Sequence, residues 1–216
     1  MDMGLIDYLA RWGHYLFGIT WIGLLYYFNF VQTEYFKEAD ASARTDAFTK
    51  LVPRALWWFR WGAMFTFLTG LVMLGIRGAG VTLDITIGAV LGTLMFLNVW
   101  LIIWPNQKIV IASNAQIKSG GEALPEAAGA APKAGLASRT NTLFSVPMLF
   151  FMGSSAHYAH GGLSGNTVPL VVALVIILAL ELNGIFGKQG PMTTVRGVIV
   201  SGLVLTAVLW ALVSLL

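Results

Sequence analysis

The sequence predicts an all-α protein, a polytopic transmembrane helix bundle of about six helices. Two observations carry this. Of the 216 residues, 57% are hydrophobic and 11% charged, whereas a soluble domain is about a quarter charged. The apolar residues also gather into continuous runs, several of them near the about 20 residues a helix needs to cross the hydrocarbon layer. Gly, Ser and Thr recur inside those runs, the small residues that let helices approach closely in lipid.

Taken in order, the runs are expected to span over Tyr8–Val31, Leu56–Gly75, Ile85–Trp104, Thr142–Tyr158, Val168–Ile185 and Val198–Leu215. The mixed-charge stretch from Thr33 to Arg54 is too polar to span and is expected as surface helix. Gly88 and Gly92 stand four apart in the third run, a spacing that serves helix packing. The longest connection, about 106–141, is rich in Ala, Gly and Pro through Ser119–Ser138 and is expected to be a flexible loop. No domain boundary interrupts the chain, so residues 1–216 are expected to form one integral membrane domain.

Charge sets the orientation. Lys37, Arg44, Lys50, Arg54 and Arg60 follow the first run or open the second; Lys108, Lys118, Lys133 and Arg139 follow the third; Lys188 and Arg196 follow the fifth. The other side carries Arg11 and Arg77 alone. The positive-inside rule then places both termini on the periplasmic side of a bacterial inner membrane. Trp57, Trp58, Trp61, Trp100 and Trp104 would form a cytoplasmic aromatic belt, with Arg60 as an interfacial anchor. No cluster of basic residues interleaved with aromatics points to nucleic acid. The chain contains no cysteine, which excludes disulfides, thiolate metal sites and C-x-x-C-H attachment of a c-type haem.

Ionisable groups inside a membrane are costly and are the first candidates for function. Three histidines qualify: His14 near the outer end of the first run, His157 near the outer end of the fourth, and His160 one turn beyond it. Two histidines at matched depth on separate helices suit an intramembrane haem b, each imidazole supplying one axial bond to the iron. His14 and His157 are the expected ligands, with His160 the alternative to His157. Gly18, Gly153 and Ser154 would leave room for the macrocycle, and Trp21 and Tyr15 could pack on it. Plain interhelical hydrogen bonding, or copper or zinc held by the three histidines, are the competing readings; with no acid in the neighbouring sequence the metal ion is the weaker. Asn29, Gln32, Asn98, Glu181 and Asn183 are expected to hydrogen-bond between helices, Glu181 being the one acid within an apolar run. No Ser/His/Asp pattern or phosphate-binding loop is evident.

Four segments carry a family resemblance: His14–Gln32 (HYLFGITWIGLLYYFNFVQ), Pro53–Gly62 (PRALWWFRWG), Asn98–Lys108 (NVWLIIWPNQK) and Arg139–His157 (RTNTLFSVPMLFFMGSSAH). Each resembles the membrane domain of bacterial urate hydroxylases, also called urate oxidases, over spans one to four, while spans five and six match in general character only. Longer members join that domain to a cytochrome c domain and are assigned to urate oxidation. The first segment also faintly resembles haem-binding membrane proteins of the protoporphyrinogen oxidase type. The resemblance implies a haem-b oxidoreductase or electron-transfer protein of the inner membrane, working with a separate periplasmic cytochrome c or within a larger membrane redox complex. The alternatives are a haem-free structural or assembly subunit of such a complex and, less favoured, a small transporter. The orientation is testable: reporters fused after Leu216 and within Ser119–Ser138 should report opposite sides of the membrane, and a cytoplasmic C-terminus would overturn both the orientation and the matched depth of His14 and His157.

Overall fold

The computed structural model describes residues 2–216 and is helical almost throughout. Helix α1 (Met3–Tyr26) runs through a wide-turned π segment, Tyr27–Gln32, into α2 (Thr33–Glu38). Short α3 (Ala41–Lys50) leads into α4 (Val52–Arg77). Helix α5 (Leu83–Leu97) passes through a second π segment, Asn98–Ile103, into α6 (Trp104–Lys118). Helices α7 (Ala127–His157), α8 (Thr167–Phe186) and α9 (Val195–Leu215) complete the bundle.

Among the described residues, four helical stretches are long and apolar enough to cross a membrane: Val52–Gly80, Leu83–Lys118, Thr167–Phe186 and Val195–Leu215. These correspond to four of the six expected spans. The other two expectations fall on α1 and α7, which pack against those four. Helix α1 lies along α4, and α7 occupies the middle, touching α5, α6, α8 and α9. A helix enclosed by others need not be apolar all round, which is why α7 carries buried Thr140, Asn141, Thr142 and Ser145. Large apolar side chains instead face outward on α8 and α9, with Val175 61%, Leu182 57% and Leu203 57% exposed, as a lipid-facing surface requires.

Close approach within the bundle depends on glycine. A Cβ on Gly88 would meet the Met152 backbone nitrogen at 3.2 Å, and one on Gly62 would meet that of Trp21 at the same distance. Gly88 and Gly92 both face Met148 and Met152, so the four-residue spacing serves the α5–α7 seam. Gly18 stands in the α1–α4 seam beside Thr66.

Residues 83–118 form one continuous helical rod of about 54 Å at 1.5 Å per residue, longer than the about 30 Å hydrocarbon thickness. Its far end therefore leaves the lipid, and α3 docks there: Lys118 Nζ lies 2.7 Å from Asp46 Oδ1 and donates to Thr49 Oγ1 at 3.0 Å. Lys118, then Lys50, hold the exposed Asp46 carboxyl below its ordinary range. The latch is thus intact above the usual carboxylate pKa and is lost as pH falls through the lowered value.

The connection expected to be a flexible loop over about 106–141 is largely helical. Helix α6 continues to Lys118 and α7 begins at Ala127, leaving only 119–126 between them. Alanine is the strongest helix former, and Ala130, Ala134 and Ala137 form a buried stripe on α7. The short remainder is tied down by the Leu124 amide, which donates to Ser113 Oγ at 3.0 Å.

Gly88→Ala should press α5 away from α7 because the obstacle is backbone. A loss of about 1–3 kcal/mol is expected in thermal or denaturant unfolding of the detergent-solubilised protein. An unchanged midpoint would mean the seam yields without cost.

Candidate functional site

The polar groups of the bundle collect in a few places. At the head of α5, Thr82 caps the helix by accepting from the Ile85 amide, and Asp84 sits in the first turn, completely buried. Ser154 Oγ donates to Asp84 Oδ1 at 2.6 Å, and the His160 amide donates to Asp84 Oδ2 at 2.8 Å. The His160 ring completes the set, with Nδ1 2.9 Å from Oδ1 of the same carboxylate. Its other nitrogen, Nε2, lies 3.0 Å from Ser214 Oγ on α9. A carboxylate can only accept, so Nδ1 carries a proton and donates to Asp84. Next to this cluster, Ser155 Oγ accepts from Arg77 Nη1 and pairs with Thr82 Oγ1, each at 2.8 Å.

Two expectations are corrected here. His160 does not continue the helical face of His157, because α7 ends at His157 and the chain turns back through Tyr158 (φ −155°, ψ 53°) and Gly161 (φ +91°). An acid does stand beside the histidines: Asp84 is distant in sequence but bonded to His160, and Ser214, His160 and Asp84 form the hydrogen-bonded chain that no local pattern revealed. Both ring nitrogens of His160 are engaged in this structure, Nδ1 by Asp84 and Nε2 by Ser214. Ser154, expected as space for a macrocycle, spends its hydroxyl on Asp84 while also lining the groove beside His157.

His14 lies in the α1–α4 seam. Its Nδ1 is 2.9 Å from the Thr66 carbonyl oxygen and 3.2 Å from Thr69 Oγ1. A carbonyl can only accept, so Nδ1 carries the proton and Nε2 of the neutral ring keeps its lone pair, with no protein partner among the described residues. Gly70 allows this fit, since a Cβ there would come within 3.3 Å of the ring. Trp21 is buried in the core and its Nε1 has no partner, whereas Tyr15 points outward at 72% exposure.

His157 is exposed on a lateral groove of about 480 Å³ between α7 and α9, lined by Leu149, Phe150, Gly153, Ser154, Tyr158 and Trp210. Gly153 has open space where a side chain would be. No residue of α1 lines this groove. The two expected ligands thus occupy different seams, His14 against α4 and His157 between α7 and α9. Among the described residues no three of His, Cys, Asp and Glu gather as metal ligands.

Deeper in the bundle, Asn98 Nδ2 donates to Asn141 Oδ1 at 2.9 Å and to Glu181 Oε2 at 3.1 Å, while Asn141 Nδ2 donates to the Met95 carbonyl at 2.9 Å. Asn29 Nδ2 donates to Ser138 Oγ at 2.8 Å. The expected interhelical role of Asn29, Asn98 and Glu181 is met. Asn183 instead caps locally, donating to the Lys188 carbonyl at 3.0 Å.

Fold and polar interior define a helical membrane protein whose ionisable groups are held inside the bundle. A family model described as urate oxidase N-terminal matches residues 77–214, more than half of the chain, and the protein belongs to that family. No curated protein and no solved structure matches it. The match covers α5 to α9, including spans five and six, where the resemblance was expected to be weakest. It contains the Asn98–Lys108 and Arg139–His157 segments but not His14–Gln32 or Pro53–Gly62.

Asp84→Ala should leave Ser154 and His160 without their acceptor. Each lost charge-assisted bond is worth about 1.5–3 kcal/mol, so a clear fall in the unfolding midpoint is expected, with Asp84→Asn intermediate. A wild-type midpoint for Asp84→Ala would show that the α5–α7–α9 junction does not need this carboxylate.

Proposed function

We propose that the protein is a haem-b redox protein of the bacterial inner membrane, with both termini periplasmic. It passes electrons to a separate periplasmic cytochrome c or within a larger membrane redox complex. The observation that carries the reading is the state of His14. Its Nδ1–H is spent on the Thr66 carbonyl at 2.9 Å, the arrangement that orients a metal-binding imidazole and raises its basicity, and Nε2 is left with its lone pair. His14 is accordingly the first ligand. His157, which has no hydrogen-bond partner among the described residues and stands beside open space at Gly153, is the second. Gly18 adds no bulk to the α1–α4 seam one turn along from His14. Bound there, haem would supply one-electron transfer between ferric and ferrous iron. Membership of the urate oxidase N-terminal family supports an oxidoreductase of the urate hydroxylase type.

The separate seams of the two histidines bear on the coordination number. Were His157 to bind the iron together with His14, a haem held there would be six-coordinate and low-spin. If His157 stays in its groove, the haem is held by His14 alone and is high-spin.

The full chain, expressed with ample haem supply and purified, should show a Soret band that shifts on reduction. His14→Ala should remove the haem. His157→Ala should convert a low-spin spectrum to high-spin, or change nothing if the wild type is already high-spin. A haem content unaffected by His14→Ala would overturn the ligand assignment. A colourless wild type would end the haem reading and favour the haem-free structural or assembly subunit.

A further inference from the structure

The two resemblance segments Pro53–Gly62 and Asn98–Lys108 meet away from all three histidines. The guanidinium carbon of Arg60 lies 3.6 Å from the centre of the Trp104 ring and 5.6 Å from that of Trp100. Lys108 Nζ lies 5.6 Å from the same Trp104 ring. One indole is therefore shared by two cations.

Those cations lack a counter-charge. The ion pairs of the described residues use Arg11, Lys37, Lys50, Lys118, Arg139 and His160, but neither Arg60 nor Lys108. Arg60 makes no hydrogen bond among them either, and its Nε is buried without a partner, as is the neighbouring Trp100 Nε1. Both cations belong to stretches that can cross a membrane. An indole face attracts a cation but cannot accept its in-plane N–H bonds. A guanidinium left unpaired near lipid is costly, and residues of this kind are retained where something pairs with them.

We infer that Arg60 and Lys108, framed by Trp100 and Trp104, form a binding site for a phosphate-type oxyanion, supplied by the headgroup of an anionic phospholipid. The in-plane N–H groups of a stacked guanidinium present a fork that matches two oxygens of a phosphate. Lys108 is exposed and can add a point charge from the rim. The neighbouring Trp57 and Trp58 are 48% and 60% exposed, and indoles so placed sit at headgroup level. A headgroup reaches such a place without leaving the bilayer. The site is independent of the haem proposal, since it shares no residue with it.

Native mass spectrometry of the purified full chain tests this, with phosphatidylglycerol, phosphatidylcholine or inorganic phosphate added in turn. The wild type should retain phosphatidylglycerol over phosphatidylcholine. Arg60→Gln and Lys108→Gln should each lower that retention by about tenfold, the effect of losing one charge-assisted hydrogen bond. Lys108 is exposed, so its variant remains informative if Arg60→Gln does not fold. Arg60→Lys keeps the charge but not the fork and should fall between. Displacement of the lipid by inorganic phosphate at equal concentration would assign the site to a soluble phosphate instead of a headgroup. Equal retention of both lipids, or unchanged phosphatidylglycerol retention in Lys108→Gln, would overturn the site.

Discussion

Helices α5 to α9 are organised by the seam between α5 and α7, which is clamped by a buried polar contact at each end. At one end Ser154 donates to Asp84; at the other Asn98 donates to Asn141. Between them Gly88 and Gly92 let the helices close on Met148 and Met152. The two clamps fix register as well as distance, because sliding either helix would strand a carboxylate or an amide where no water can replace its partner. Neighbouring helices attach to the same clamps. Glu181 brings α8 to Asn98, and Ser214 brings α9 to His160.

Both π segments fall where a buried asparagine must be aimed. Asn29 sits in Tyr27–Gln32 and Asn98 opens Asn98–Ile103. Side chains add bonds to carbonyls at these turns: Thr33 Oγ1 donates at 2.7 Å to Phe28 O, which also accepts the Thr33 amide, and Asn106 Nδ2 donates to Ile102 O at 2.7 Å. Pro105 adds a reason in the second case, since it has no amide to continue the α ladder. The widened turns re-aim one side chain each and leave the rod otherwise continuous, a use of π-bulges often found near functional positions.

The fold class was legible because lipid demands long apolar runs, a signal that needs no partner to be read. The ends of those runs were less legible. Ala-rich 127–138 reads as a loop by composition, yet the same alanines are good helix formers and pack once α6 is beside them. Asp84 escaped notice for a related reason. In sequence it is an ordinary first-turn acid after a Thr cap, and only the fold returns His160 and Ser154 to it. His14, by contrast, was identifiable alone, since a histidine within an apolar run needs some partner. That its partner is a backbone carbonyl of α4 is a fact of packing.

The division between α1–α4 and the remainder also orders the chemistry. The family match begins at Arg77, so it takes in the clamped α5–α7 seam and the Asp84 cluster but neither His14 nor Arg60. The two clamps have their polar groups satisfied by one another: Asp84 accepts three bonds, both nitrogens of His160 are used, and Asn98 and Asn141 share their amides. Such a network resists rearrangement, because each member moved leaves another unpaired. Groups with spare bonding capacity lie outside the clamps, some in α1 and α4 and some in the matched portion: His14 Nε2 in the α1–α4 seam, Arg60 Nε and Trp100 Nε1 beside Trp104, Arg139 Nη1 on α7, and His157 on its open groove. A ligand can gain most where the protein has left donors and acceptors unused. The satisfied seam is therefore the scaffold on which the other helices are held.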